Sequence, residues 1–168
     1  MPDPVITQRR IQVEHVKIES TKPFAEAKAA LEDLVPPLDP AVPEALRQGY
    51  IEQAKEALQR GPELVIFSAR DHGGLLRIVG LARKAVQYEI GNPTTATRMT
   101  QHQLPAALYA PFRVILYENE AGHAAFEYDR PLSLFGQFGD ERVISVAREL
   151  DATLERVLAQ AAHSGEEQ

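Results

Sequence analysis

The 168-residue chain contains no cysteine. Structural disulfides, thiolate nucleophiles, cysteine-based zinc sites and iron–sulfur clusters are excluded together, and any metal would need histidine and carboxylate ligands. The chain also lacks an excess of positive charge: 18 Lys and Arg stand against 24 Asp and Glu, a formal charge of −6. Non-specific attraction to nucleic-acid phosphates or anionic lipid is not expected, and no Lys/Arg cluster announces a basic groove. No apolar run approaches the roughly 18 residues of a membrane span. The opening MPDPVITQRR has Pro and Asp where a signal peptide would carry a basic start and an apolar stretch. These absences predict a cytoplasmic protein without nucleic-acid or membrane partners.

Further absences narrow the chemistry. DHGG lacks the Lys-Ser/Thr end of a phosphate loop, and no Gly-x-Gly-x-x-Gly follows a strand. Arg83 and Lys84 in GLARK are two cations only, too few for a nucleic-acid groove. His15, His72, His102, His123 and His163 show no metal-ligand spacing. The expectation is therefore no metal and no cofactor.

What is present suits one soluble domain spanning residues 1–168. The 44% hydrophobic and 25% charged content is ordinary, and folding at this length buries roughly 70% of the surface of the unfolded chain. No internal repeat is present, and the tail HSGEEQ, residues 163–168, is expected to be disordered.

RIQVEHVKIES carries Ile11 and Val13 on one alternation and Val16 and Ile18 on the other, so a strand with an irregularity near Glu14 and His15 is predicted. Thr21, Lys22 and Pro23 read as a helix entry, with Phe24, Ala27, Leu31 and Leu34 at helical spacing and an end near Val35. PPLDPAVP is a stiff connector. A second helix is predicted from Pro43 to Gln59, presenting Leu46, Tyr50, Ala54, Ala57 and Leu58, and Gly61-Pro62 stops it.

LVIFSA reads as a central strand covered on both sides or as a short buried segment. Asp71 can cap a short helix ending at Gly80. Val86, Tyr88 and Ile90 alternate as a strand, and PFRVILYENEAGHAAFEYDRP reads as a hairpin. From Asp140 as N-cap, Val143, Ala147, Leu150, Leu154, Val157, Leu158 and Ala161 hold helical spacing for about 20 residues. The fold class predicted is α+β, an antiparallel sheet with helices packed on one face.

Three motifs in this order carry a family resemblance: Asp71-His72 before a short helix, Gly91-Asn92-Pro93 after a strand, and Leu108 to Pro111 leading into the hairpin. In these the chain resembles the bacterial and archaeal domain-of-unknown-function 302 family, over about residues 10–160. The resemblance implies a TBP-like β-α-β(4)-α fold, a homodimer and no established biochemical activity. The likeness to TBP is one of architecture and does not imply DNA binding. The segment from about residue 36 to 61 adds a helix where shorter members pass almost directly to the next strand; it would either shield the sheet or form the dimer interface.

The candidate sites come from the same motifs. In GNPTTATRMTQH, Asn92 suits an N-cap and Pro93 the first helical position, giving a short helix from 93 to about 101 with Arg98 and His102 on one face. One reading places a small anionic or carbonyl ligand at Asn92, Thr94, Thr95, Arg98 and His102. The other gives Asn92 only a capping job, turns the threonines to water and pairs Arg98 with a carboxylate. His72 beside Asp71 would serve as general acid or base on a small anionic substrate, or Asp71 simply caps the helix and His72 makes one hydrogen bond.

SLFGQFGD, residues 133–140, reads either as a hydrophobic flap or dimer contact, or as an anchor fixing the final helix. The leading functional expectation is a small-molecule-binding homodimer with its pocket between the sheet and the C-terminal helix. A cofactor-independent enzyme and a structural or partner-interaction module are the alternatives.

Overall fold

The computed structural model describes residues 1–164, so all but His163 and Ser164 of the tail expected to be disordered lies outside the described residues. Five strands form one antiparallel sheet: β1 (His15–Pro23), β2 (Val65–Asp71), β3 (Ala85–Gly91), β4 (Phe112–Glu118) and β5 (His123–Asp129), in the order β1-β5-β4-β3-β2. Val86, Tyr88, Ile90, Phe112, Val114, Leu116, Phe126 and Tyr128 point to one face and are buried there. That face is covered by α1 (Phe24–Leu34) and by the 22-residue α7 (Glu141–Ala162), whose predicted apolar stripe from Val143 to Ala161 is buried throughout. Asp140 caps α7 by accepting the Arg142 N–H at 3.1 Å, and the Arg142 guanidinium holds its carboxyl well below the usual carboxylate range.

The first strand differs from expectation at its start. It begins at His15, and its irregularity falls between Glu19 and Pro23 rather than near Glu14 and His15. The reason lies in α7. Ser20 Oγ donates to the Ala162 carbonyl at 2.5 Å and Lys22 Nζ to the Ala161 carbonyl at 3.2 Å, so the extra residues of β1 satisfy the unpaired carbonyls at the helix end.

The helix predicted over 43–59 is two helices, α2 (Ala41–Gln48) and α3 (Ile51–Arg60). Gly49, at φ 77°, breaks it, and the Tyr50 N–H closes the end on the Ala45 carbonyl at 2.8 Å. The turn rotates the buried face to Val42, Ala45 and Ala54 and leaves Leu46 and Tyr50 exposed.

LVIFSA is an edge strand, not a central one. Ile66 pairs with Ile90 and Ser68 with Glu89, so Phe67 is an extra residue whose bulge breaks the inward-outward alternation. The proline-rich connector protects this edge: Ile66 N–H donates to the Pro36 carbonyl and Leu38 N–H to the Ile66 carbonyl, both at 2.9 Å. The short helices are α4 (His72–Leu76), α5 (Pro93–Thr100) and α6 (Pro131–Phe135), each running on into a turn, with 3₁₀ geometry after α4 and α6. Set apart from these and from α2 and α3, the order is β-α-β(4)-α.

The opposite sheet face carries polar side chains. His15 bonds Asp129 at 2.9 Å and Glu127 at 2.7 Å, and Tyr117 donates to Glu127. The hydrogen bond to Asp129, and then that to Glu127, raises the His15 pKa above its ordinary 6.5. A raised histidine stabilises fully below the unfolded value and loses that contribution as pH rises through the folded one. The urea midpoint of wild type minus that of His15→Gln is therefore expected to shrink between pH 6 and pH 8.5.

Candidate functional site

The candidate site is built where β3 ends. Gly91 closes the strand, Asn92 takes an extended conformation, and its Oδ1 accepts the Thr95 N–H at 3.1 Å to start α5 with Pro93 in its first turn. The Asn92 amide also donates to the Glu63 carbonyl at 3.1 Å, fastening α5 to the segment before β2. The helix then carries Ala96 and the buried Met99 inward.

Between this helix, the sheet end and α7 lies a pocket of about 260 Å³. Phe67, Met99, Phe112 and Leu150 wall it, with Ala96, Ala110 and Pro111 beside them. Its polar side chains are Asn92 and Thr95. The bulge in β2 places Phe67 here, beside Gly91 and Pro111.

Asn92 and Thr95 thus line the pocket, while Thr94, Arg98 and His102 do not. Thr94 is exposed and its carbonyl accepts the Thr97 hydroxyl at 2.7 Å. Arg98 forms a two-pronged pair with Glu149 at 2.7 and 3.0 Å, which raises its own pKa and lowers that of Glu149. It acts as an external strut between α5 and α7, worth little as an exposed pair. His102 is half-buried just beyond α5.

Asp71 and His72 lie elsewhere. Asp71 pairs with Val86 at one end of β3, whereas Asn92 follows Gly91 at the other. Six residues of strand separate the two ends, about 20 Å at roughly 3.3 Å per residue. One site therefore does not contain His72 together with Asn92 and Arg98. Asp71 accepts the Gly74 N–H at 2.8 Å as the cap of α4, and His72 is exposed.

Sequence reasoning missed the apolar walls of the pocket. The available signal was Val65-Ile66-Phe67, three apolar residues in a row where an edge strand should alternate. The segment 133–140 supports the pocket from below. Phe135 is wholly buried and meets Phe112 edge-on at 5.8 Å and Tyr109 at 6.2 Å, which makes this segment an anchor in the fold. Among the described residues no three His, Asp or Glu side chains are grouped to hold a metal ion, and no helix is long and apolar enough to cross a membrane.

Fold and site together define an α+β protein with a five-stranded antiparallel sheet, helices on one face and an apolar pocket at one end of their interface. The sequence profile described as Domain of unknown function DUF302 matches residues 48–161, more than half of the chain, and the protein belongs to that family. β1 and α1 precede the matched residues, although β1 completes the sheet. The crystal structure of an uncharacterized conserved DUF302 protein from Bacillus stearothermophilus is similar to this fold, with a TM-score of 0.64, 17% sequence identity, and coverage of 88% of this chain and 97% of that one. No protein of curated function matches the chain. The family has no established activity.

Proposed function

We propose that the protein binds a small, mainly apolar molecule in the pocket between the sheet, α5 and α7. The observation that carries this reading is the pocket itself: aromatic and aliphatic walls converge with one amide and one hydroxyl at the sheet–helix junction. Its volume of about 260 Å³ lies just below the roughly 300 to 1,000 Å³ of drug-sized sites, which suits a single aromatic ring or a short acyl group. Asn92 and Thr95 would orient a polar substituent. Arg98 and His102 flank the site rather than grip the ligand.

Met99 makes the proposal testable. The chain has two methionines, Met1 fully exposed and Met99 in the pocket wall at 1% exposure. With methyl-labelled methionine, titration with phenol and with hexanoate is expected to move the Met99 signal saturably and leave Met1 still. Ala96→Phe, which fills the pocket, should abolish the shift. A Met99 signal unmoved by both probes, together with a bare protein in the native mass spectrum, would refute the proposal.

The reading takes the chain as one cytoplasmic domain of TBP-like architecture that pairs with a second copy. The dimer is supported by Leu75, Ile78, Val79 and Leu81, four large apolar residues within seven positions, exposed by 57, 83, 69 and 51%. The acid–base alternative at His72 is less favoured, because Asp71 is engaged as the cap of α4 and, among the described residues, His72 makes no side-chain hydrogen bond that would orient it.

A further inference from the structure

A second concavity, of about 410 Å³, lies at the other end of β3, on the helix-covered side of the sheet. Its lining brings together cations that the sequence separates: Lys28 from α1, Arg77 from the turn after α4, and Arg83 and Lys84 from the segment before β3. Four cations face two lining carboxylates, Glu32 and Asp71, in a chain whose overall charge is −6.

The compensation is uneven. Lys28 pairs with Glu32 at 2.7 Å, Glu32 also accepts the Tyr88 hydroxyl at 2.9 Å, and Lys84 pairs with Glu118 at 2.7 Å. Asp71 is engaged as a helix cap. Among the described residues Arg77 and Arg83 have no ion pair and no side-chain hydrogen bond. Their convergence is built into the packing: Gly73 lies so close to the Arg83 carbonyl that a Cβ would stand 2.4 Å from it, which draws α4 and the Arg83 segment together. The buried side chains Phe24 and Val86 give the concavity an apolar floor.

We propose that this concavity binds a small phosphomonoester. Two guanidinium groups without carboxylate partners suit a dianionic oxyanion, because each presents a planar fork of donors matched to phosphate oxygens. The two lysines add field, and the floor receives the organic part. This site does not rest on the apolar pocket, from which the length of β3 separates it.

Titration of the full chain with inorganic phosphate at low salt, followed by amide NMR, tests the proposal. Saturable shifts confined to residues 73–77 and 83–86 are expected, weakening as sodium chloride is raised, with the Met99 methyl unmoved. Arg77→Ala and Arg83→Ala should each weaken binding about tenfold, and Arg83→Lys less. Arg113→Ala, an exposed arginine on the opposite sheet face, should leave binding unchanged. Both lining arginines are exposed, so unchanged thermal melting will certify the variants. Non-saturating shifts, equal shifts with sodium chloride alone, tighter binding of succinate than of phosphate, or phosphate binding that survives Arg77→Ala/Arg83→Ala would each overturn the proposal.

Discussion

Replacing Phe135 with alanine is expected to lower the free energy of unfolding by about 3 to 5 kcal/mol, measured by urea denaturation. The ring is wholly buried and makes two edge-on aromatic contacts, with Tyr109 at 6.2 Å and 85° and with Phe112 at 5.8 Å and 76°. Removing it deletes the transfer energy of an aromatic side chain, the quadrupole contacts and the support of Phe112, and leaves a cavity that the surrounding strands cannot close. Phe138→Ala supplies the contrast. That ring is half-buried, tilted against Tyr109 at 6.5 Å and covered by the Arg9 guanidinium at 5.8 Å, so a loss of about 1 kcal/mol is expected. A mobile flap would show neither the large effect at Phe135 nor the difference between the two rings. Because Phe112 also walls the apolar pocket, Phe135→Ala should reduce the Met99 response to phenol even under conditions where the variant remains folded.

The second large effect is expected at Gly73. An alanine methyl there would lie 2.4 Å from the Arg83 carbonyl oxygen and 3.0 Å from the Ala85 nitrogen. Both are backbone atoms, and Ala85 opens β3, so relief requires the strand entry and α4 to move apart. A destabilisation of about 3 kcal/mol follows from overpacking of this kind. Two other glycines separate this cause from a general intolerance of substitution. At Gly74 the methyl would meet the Asp71 carboxylate at 2.6 Å, a side chain that can rotate away, so the cost is chiefly the lost cap, about 1 kcal/mol. At Gly136 nothing lies within 4 Å and the backbone is right-handed, so alanine should be neutral or slightly stabilising. Urea midpoints of the three variants should therefore fall in the order Gly136→Ala above Gly74→Ala above Gly73→Ala. Equal midpoints for the Gly73 and Gly74 variants would remove the close-approach explanation.

Both predictions concern contacts between segments far apart in sequence, and the same distinction governs how much of the protein could be read in advance. The final helix was legible because a single long apolar stripe and an N-capping aspartate are local signals. Asn92 and Asp71 were legible as caps for the same reason: a short side chain reaches the backbone N–H three residues ahead of it, whatever the rest of the fold does. The hairpin of β4 and β5 was legible from its alternation and its Asn119 and Gly122 turn. The break at Gly49 was also a local signal, but a lone glycine within a helical pattern does not by itself separate a cap from a tolerated interior residue.

Strand position was not legible in this way. Val65, Ile66 and Phe67 look like the middle of a sheet because a run of apolar residues is what double coverage selects. Here a bulge and an overlying proline segment produce the same composition at an edge. Similarly, the irregularity of β1 could not be placed from its own residues, since it answers the unsatisfied carbonyls of a helix more than a hundred positions away.

By itself, then, the sequence determined the α+β class, the family, the chain order of strands and main helices and the caps that start α4, α5 and α7. The class, the order and the caps follow from periodicity and from side chains that act within a few residues of themselves, and the family from the resemblance carried by three motifs. Only the tertiary structure decided that Asn92 and His72 lie at opposite ends of one strand, that Phe67 and Met99 wall a pocket, and that Lys28 and Arg77 join Arg83 and Lys84 around a second concavity. Strand pairing and helix packing bring together residues that no local spacing relates, because a binding surface is a property of neighbours in space.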